Sequence, residues 1–371
     1  MESQIAEKLL ETSTEIESGE GDSLVSIDLD LIPCEIQLDF PLFVRTSDDN
    51  DRRFSLVRNR GMVFSERVRS QLRRDAATLF TKEKYFRSYE SSVDTHLEQI
   101  LTDETVPVEK RSSILIQKGE DIMEAFFDRP DSKENYEKAQ KLVGNIVRLA
   151  HASKEGVMSM LRLAKRDYQT YSHSLHVCIL GVGFAQNLLS DERILRKHPF
   201  CDDVEKLGQG FIYHDLGKSL VDTDILKKAG RLSPLEWEMI KKHPLDGSQM
   251  LQEMGIRDKD IMHITLYHHE RMDGTGYPYG LKENEIPVIA RIAAITDAFD
   301  ALTSDRPYKP AANTFEALSI MKNENGGFYD LDLFQSFVLM FHKQSADSFK
   351  QGPAAGESKP NPGEETASRE K

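Results

Sequence analysis

The chain has 371 residues, enough for two domains of ordinary size or for one fold with tails. Its formal charge of -14, with seven acids against Lys8 alone in residues 1–22, argues against a broad basic face and so against a nucleic-acid partner. Cys34, Cys178 and Cys201 form no CxxC pair or disulfide framework, and every apolar stretch stops short of the ~18 residues a bilayer span needs, so a cytoplasmic protein with no membrane partner is expected.

In chain order, residues 1–23 are acidic with Ser, Thr and Gly, and read as a disordered tail. SIDLDL (26–31) alternates apolar and acidic residues as a strand does, and FPLFVRT and RRFSLVR flank the turn-rich SDDND as a hairpin. MVFSERVRSQLRR (62–74) has helical spacing, so residues 24–95 are expected to form a small α+β module. Strand signals then cease. A helical connector is expected over 96–134 and an all-α domain over 135–346, with helices over 113–127, 135–165, 173–190, 204–217, 234–254, 258–270, 287–303 and 314–343. Residues 347–371 mix Pro, Gly and charges and read as a second disordered tail.

YHDLGKS (213–219) ends like a phosphate-binding loop, but that loop needs four residues between its first glycine and the Gly-Lys pair. The nearest upstream glycine is Gly210, with six between, and the reading fails. A metal reading fits better. Neighbouring residues on a helix project about 100° apart, so His214 and Asp215 enter one cavity only if it holds something both must touch. His268 and His269 repeat the pattern, and paired imidazoles are poorly explained by packing because each needs its own partner. His173 and His243 complete five histidines between 173 and 269 at points a metal site could use. Asp297 lies in VIARIAAITDAFDAL, apolar nearly all round, where a carboxylate must be paired or must coordinate a metal. Arg291 or Lys218 is the alternative salt-bridge partner for it, and Asp300 on the same helix is equally unexplained by burial. Imidazole and carboxylate donors without cysteine suit iron, manganese, zinc or nickel better than magnesium or calcium, with iron or manganese the first choice, and two adjacent ligand pairs point to more than one ion. Two ions roughly 3.5–4 Å apart turn a bridging hydroxide into a nucleophile for phosphoryl displacement.

These residues carry a family likeness. HDLGK (214–218), ILKKAGRLSPLEWEMIKKHPLDG (225–247), HHERMDGTGYP (268–278) and RIAAITDAFDALTSDRPYK (291–309) resemble, in order and spacing, the HD-GYP branch of the HD superfamily, over about residues 135–343. The resemblance implies an all-α HD-type catalytic domain that hydrolyses cyclic di-GMP to pGpG, with onward cleavage to GMP left open. It implies two divalent ions held by His173, His214, Asp215, His243, His268, His269 and Asp297, with Asp215 bridging and Lys218 as the catalytic lysine. Arg306 and Lys309 are implied to hold the substrate phosphodiester, and Gly276, Tyr277 and Pro278 to line the site. Some members hold a third ion through a carboxylate four residues before the first ligand histidine; Gln169 stands there, with Asp167 out of phase, which favours two. A phosphodiesterase for another cyclic dinucleotide, or a cyclic di-GMP-binding module with no turnover, is the alternative. Protein partners through the GYP loop or the N-terminal module, and a homodimer, are left open.

Overall fold

The computed structural model describes residues 15–17, 23–45, 53–152, 155–164, 169–228, 230–305, 310–323 and 327–350. Its N-terminal part holds the strands β1 (Glu15–Glu17), β2 (Leu24–Ile27), β3 (Ile36–Gln37), β4 (Leu42–Arg45), β5 (Arg53–Arg58), β6 (Val63–Phe64) and β7 (Leu79–Lys82). Five of them form an antiparallel sheet in the order β1-β5-β4-β7-β2, and β3 pairs with β6. Alternation decides the faces. Val44, Val57 and Leu79 enter the main core, while Phe43, Phe54 and Phe80 form a small cluster of their own. Helices α1 (Glu66–Arg74), α2 (Phe86–Thr95) and α3 (Leu97–Thr102) complete this part.

The rest is helical: α4 (Val108–Asp128), α5 (Lys133–Ala152), α6 (Gly156–Leu163), α7 (Thr170–Leu189), α8 (Glu192–Lys197), α9 (Val204–Tyr213), α10 (Thr223–Leu226), α11 (Pro234–Ile240), α12 (His243–Glu253), α13 (Lys259–Tyr267), α14 (Val288–Thr303), α15 (Thr314–Asn323) and α16 (Leu331–Lys350). The fold class expected from the sequence holds: a mostly helical C-terminal part preceded by a small sheet-and-helix region. Every residue of α7 from Ser172 to Ala185 is buried, so it serves as the axis, packed on α4, α9 and α14. Helix α13 packs on α9, α12 and α14. Among the described residues no helix is long and apolar enough to cross a membrane.

Some sequence expectations are corrected. The strand expected over 26–31 ends at Ile27, because the Asp28 carboxylate accepts from the Asp30 amide at 2.9 Å and starts a 3-10 turn at Leu29–Leu31. Asp28 and Asp30 then pair with Lys110 of α4 at 2.7 and 2.5 Å, and Asp30 with Arg73 of α1 at 2.6 Å, which ties the two parts together. Glu15–Glu17, inside the stretch expected to be a disordered tail, is an edge strand on β5, and α16 continues to Lys350 in the other tail. The remaining tail residues, 1–14, 18–22 and 351–371, lie outside the described residues. The helix expected over 234–254 divides into α11 and α12, since Pro244 has no N–H to give the Ile240 carbonyl and its ring clashes there. The segments 135–165 and 314–343 divide likewise, into α5 with α6 and α15 with α16.

Candidate metal centre

Three of the histidines stand where a helix stops. His214 follows the last residue of α9, His268 follows the last residue of α13, and His243 comes three residues after the end of α11. The last carbonyls of a helix have no intrahelical N–H. Each histidine uses one of them: Nδ1 of His214 bonds the Phe211 carbonyl at 2.7 Å, Nδ1 of His243 that of Ile240 at 2.8 Å, and Nδ1 of His268 that of Thr265 at 2.9 Å. The break at Pro244 thus frees the carbonyl that orients His243. A proton fixed on Nδ1 leaves the Nε2 lone pair facing the other way, the arrangement metal-bound histidines use. His173, on α7, is held by a carboxylate instead, with Nδ1 2.7 Å from Asp300 Oδ2.

The opposite ring edges converge on Asp215. Its Oδ1 lies 3.2 Å from His243 Nε2 and 3.8 Å from His268 Nε2, and its Oδ2 lies 3.5 Å from Nε2 of both His173 and His214. Two donor groupings follow, Asp215-His243-His268-His269 and His173-His214-Asp215, and they share the aspartate. Asp297 on α14 spans them, 3.0 Å from His173 Nε2 and 3.6 Å from His269 Nδ1. His243 Nε2 and His268 Nε2 are 3.1 Å apart, two lone-pair atoms facing each other. His214 Nε2 and Asp215 Oδ1 are buried without a well-formed hydrogen bond. Buried polar atoms are normally satisfied, so this convergence is what a cation would complete.

Electrostatics agree. Burial lowers the pKa of His214, lowers that of His268 well below the imidazole range, and takes His269 down to about 3. Burial opposes ionisation of Asp215, yet Lys218, His214 and His243 hold its carboxyl well below the usual range; His173 and His269 do the same for Asp297. Neutral imidazoles and ionised carboxylates are the forms that bind metals. Among the described residues, Asp215, Asp297 and Asp300 outweigh the one ammonium of Lys218, whose Nζ is 2.5 Å from Asp215 Oδ2.

One side of this cluster is open. His173, His214, Asp215, His243 and His268 are fully buried, whereas His269, Asp297 and Lys218 are partly exposed. Tyr277 stands over His269 with ring centroids 4.6 Å apart. Its loop is packed tightly: a Cβ on Gly276 would sit 2.4 Å from the Arg271 nitrogen and 2.5 Å from the His269 oxygen. Buried Glu270 holds the far side by accepting from the Tyr279 and Leu281 amides at 2.7 and 2.9 Å. Pro278 is part of this wall, half-buried. Gly217 has a similar duty, since a Cβ there would lie 2.1 Å from the His243 oxygen and hold α12 away from Asp215.

The structure therefore gathers His173, His214, Asp215, Lys218, His243, His268, His269, Asp297 and the Gly276–Tyr277–Pro278 loop. Arg306 and Lys309 lie outside the described residues, as does Asp167, and Gln169 is exposed at the start of α7. Of the two alternative partners for Asp297, Arg291 is engaged elsewhere, with Asp330 at 3.0 Å, while Lys218 stands in the same cluster, beside Asp215. The sequence left Asp300 without a role and passed over His176. Asp300 binds both His173 and His176, the latter at 3.2 Å, and the i, i+3 spacing of the two histidines on α7 was the available signal. A third grouping, His198 with Asp330 and Asp332, is already closed by Arg291 and Lys197.

Residues 205–333 match the HD domain family. A cyclic di-GMP phosphodiesterase from Pseudomonas aeruginosa is 36% identical over 200 residues, 54% of this chain and 46% of that protein. A 3'3'-cGAMP-specific phosphodiesterase from Vibrio cholerae is 38% identical over 116 residues, 31% of this chain and 25% of that protein. The chain spans about half the length, or less, of these curated relatives. An HDG"Y"P protein from Bdellovibrio bacteriovorus superposes with a TM-score of 0.55 at 20% identity, covering 86% of this chain and 100% of that one, so the fold is shared. Residues 205–333 are thus an HD domain, in a chain related to cyclic di-GMP phosphodiesterases.

Proposed function

We propose that this HD-domain chain is a metal-dependent phosphodiesterase that opens cyclic di-GMP to pGpG, its catalytic unit being residues 135–346. The observation that carries the reading is the pair of donor groupings sharing Asp215, with His173, His214, His243 and His268 each oriented from behind. In this reading His173, His214, Asp215 and Asp297 hold one divalent ion, and Asp215, His243, His268 and His269 another. Iron or manganese suits that donor set. Bound there, the ions supply Lewis-acid charge and a nucleophile at neutral pH.

The chain's own groups do the rest. Lys218, at the open side beside Asp215, places an ammonium where charge develops on the phosphate and stabilises it. Tyr277 covers His269 and keeps water off that flank. Arg306 and Lys309 grip the phosphodiester.

A second reading keeps the chemistry and changes the substrate to a hybrid cyclic dinucleotide, because relatives named for 3'3'-cGAMP match at similar identity. The test is anaerobic purification with metal analysis, followed by kcat/KM for cyclic di-GMP and 3'3'-cGAMP on the same preparation. About two transition-metal ions per chain and a ratio favouring cyclic di-GMP are expected. A ratio favouring 3'3'-cGAMP selects the second reading, and a metal content near zero in protein never exposed to chelator contradicts both.

A further inference from the structure

Trp237 is the only tryptophan in the chain, and it is not in the core. It lies on α11 with 44% of its surface exposed. Its ring meets Tyr277 edge-on, centroids 6.2 Å apart and planes at 80°, and Tyr277 in turn covers His269 at 4.6 Å and 33°. A file of rings therefore leads from the cluster to the surface. The short helix that carries Trp237 is pinned. Ser233 and Glu236 cap it reciprocally, Lys228 bonds Glu236 at 2.7 Å, and the Ile240 carbonyl at its end holds His243. Leu235 and Met239 are also exposed, but each is two residues from Trp237, about 200° around the helix, so the three do not form one apolar patch. What remains is a flat aromatic face, held still, at the open side of the cluster.

We infer that Trp237, with Tyr277 as the adjoining wall, is a base-stacking subsite for a purine of the nucleotide whose phosphodiester lies at the cluster. This rests on the phosphodiesterase reading. Base and phosphodiester are separated by one ribose, so the base is recognised by groups flanking the cluster. Stacking uses the π face that every base offers and needs no hydrogen-bond code. The subsite accordingly supplies grip on the nucleotide and leaves the choice between guanine and adenine to other groups.

Because Trp237 is the chain's whole indole signal, its fluorescence reads the contact directly. Titrating metal-replete Lys218→Met protein with cyclic di-GMP is expected to quench the emission saturably, with cyclic di-UMP quenching less. In steady state Trp237→Ala raises the KM for cyclic di-GMP roughly 5- to 150-fold while kcat changes less than about threefold, and Trp237→Phe restores most of the loss. Saturable quenching of the variant, alongside a metal-replete parent protein that never turns over, supports the subsite and removes the enzyme reading. Turnover with unquenched indole and a parental KM in Trp237→Ala overturns the subsite and leaves the enzyme reading standing.

Discussion

Among the described residues of this helical domain two clusters of histidine and aspartate stand, and they are built to opposite ends. Around His198, each carboxylate already has a counter-charge: Asp330 takes Arg291 at 3.0 Å and caps α16 through the Asp332 and Leu333 amides, and Asp332 takes Lys197 and lies 3.3 Å from His198 Nε2. Around Asp215, three carboxylates stand with one ammonium among the described residues, and His173, His214, His243 and His268 turn their Nε2 atoms inward with Nδ1 tied elsewhere. Residue types alone do not separate the two. The partners of the far ring nitrogens do, since those decide whether a cluster is complete in itself or completed by a cation.

The comparison breaks most visibly at Asp215. Asp215→Asn removes the charge shared by both groupings, and is expected to lower metal content to near zero and hydrolysis on the order of 1,000-fold, by metal analysis and product chromatography on protein that still melts cooperatively. Metal content that persists in Asp215→Asn would show that the two groupings do not depend on the shared aspartate.

Next in size is Lys218→Met. Lys218 is no ligand in this account, so both ions remain while turnover falls roughly 100- to 1,000-fold, the usual effect of losing one group aimed at developing charge. Loss of metal in step with activity would make Lys218 structural.

Asp300→Asn acts one bond further out. Its carboxylate orients His173, and such supporting groups typically contribute 10- to 100-fold in metal affinity; a chelator competition titration measures the shift, and an unchanged midpoint would deny Asp300 that role. Smallest of all is the change in the other cluster. Asp332 is partly exposed, so Asp332→Asn is expected to cost no more than about 1 kcal/mol in thermal unfolding and to leave metal content as it was. If Asp332→Asn lowered metal content, the distinction between the clusters would fall.

Much of the Asp215 cluster was legible in the sequence because its members are adjacent pairs, His214-Asp215 and His268-His269, placed among apolar residues that give them no other employment. Asp300 was noticed and left without a task, since its partner His173 is 127 residues away and only the packing of α7 on α14 joins them. The division of 234–254 had a signal, Pro244, but the apolar spacing continues across it and concealed the break that frees the Ile240 carbonyl. Alternation at 26–31 misled for a related reason: Asp28 and Asp30 fit the solvent face of a strand equally well, and only Lys110 and Arg73, distant in sequence, give them another use. Trp237 was quoted within a motif and not singled out, because exposure cannot be read from a helical pattern of seven residues.

The central claim is that the cluster around Asp215 performs metal-dependent hydrolysis of a cyclic dinucleotide. It is tested most directly by incubating one preparation with cyclic di-GMP twice, loaded with manganese and stripped by chelator, and separating the products. The account predicts linear pGpG in the loaded sample alone, restored to the stripped sample when manganese is returned. Cyclic di-GMP recovered intact from the fully loaded protein after prolonged incubation, or cleaved equally well in the stripped sample, would contradict it.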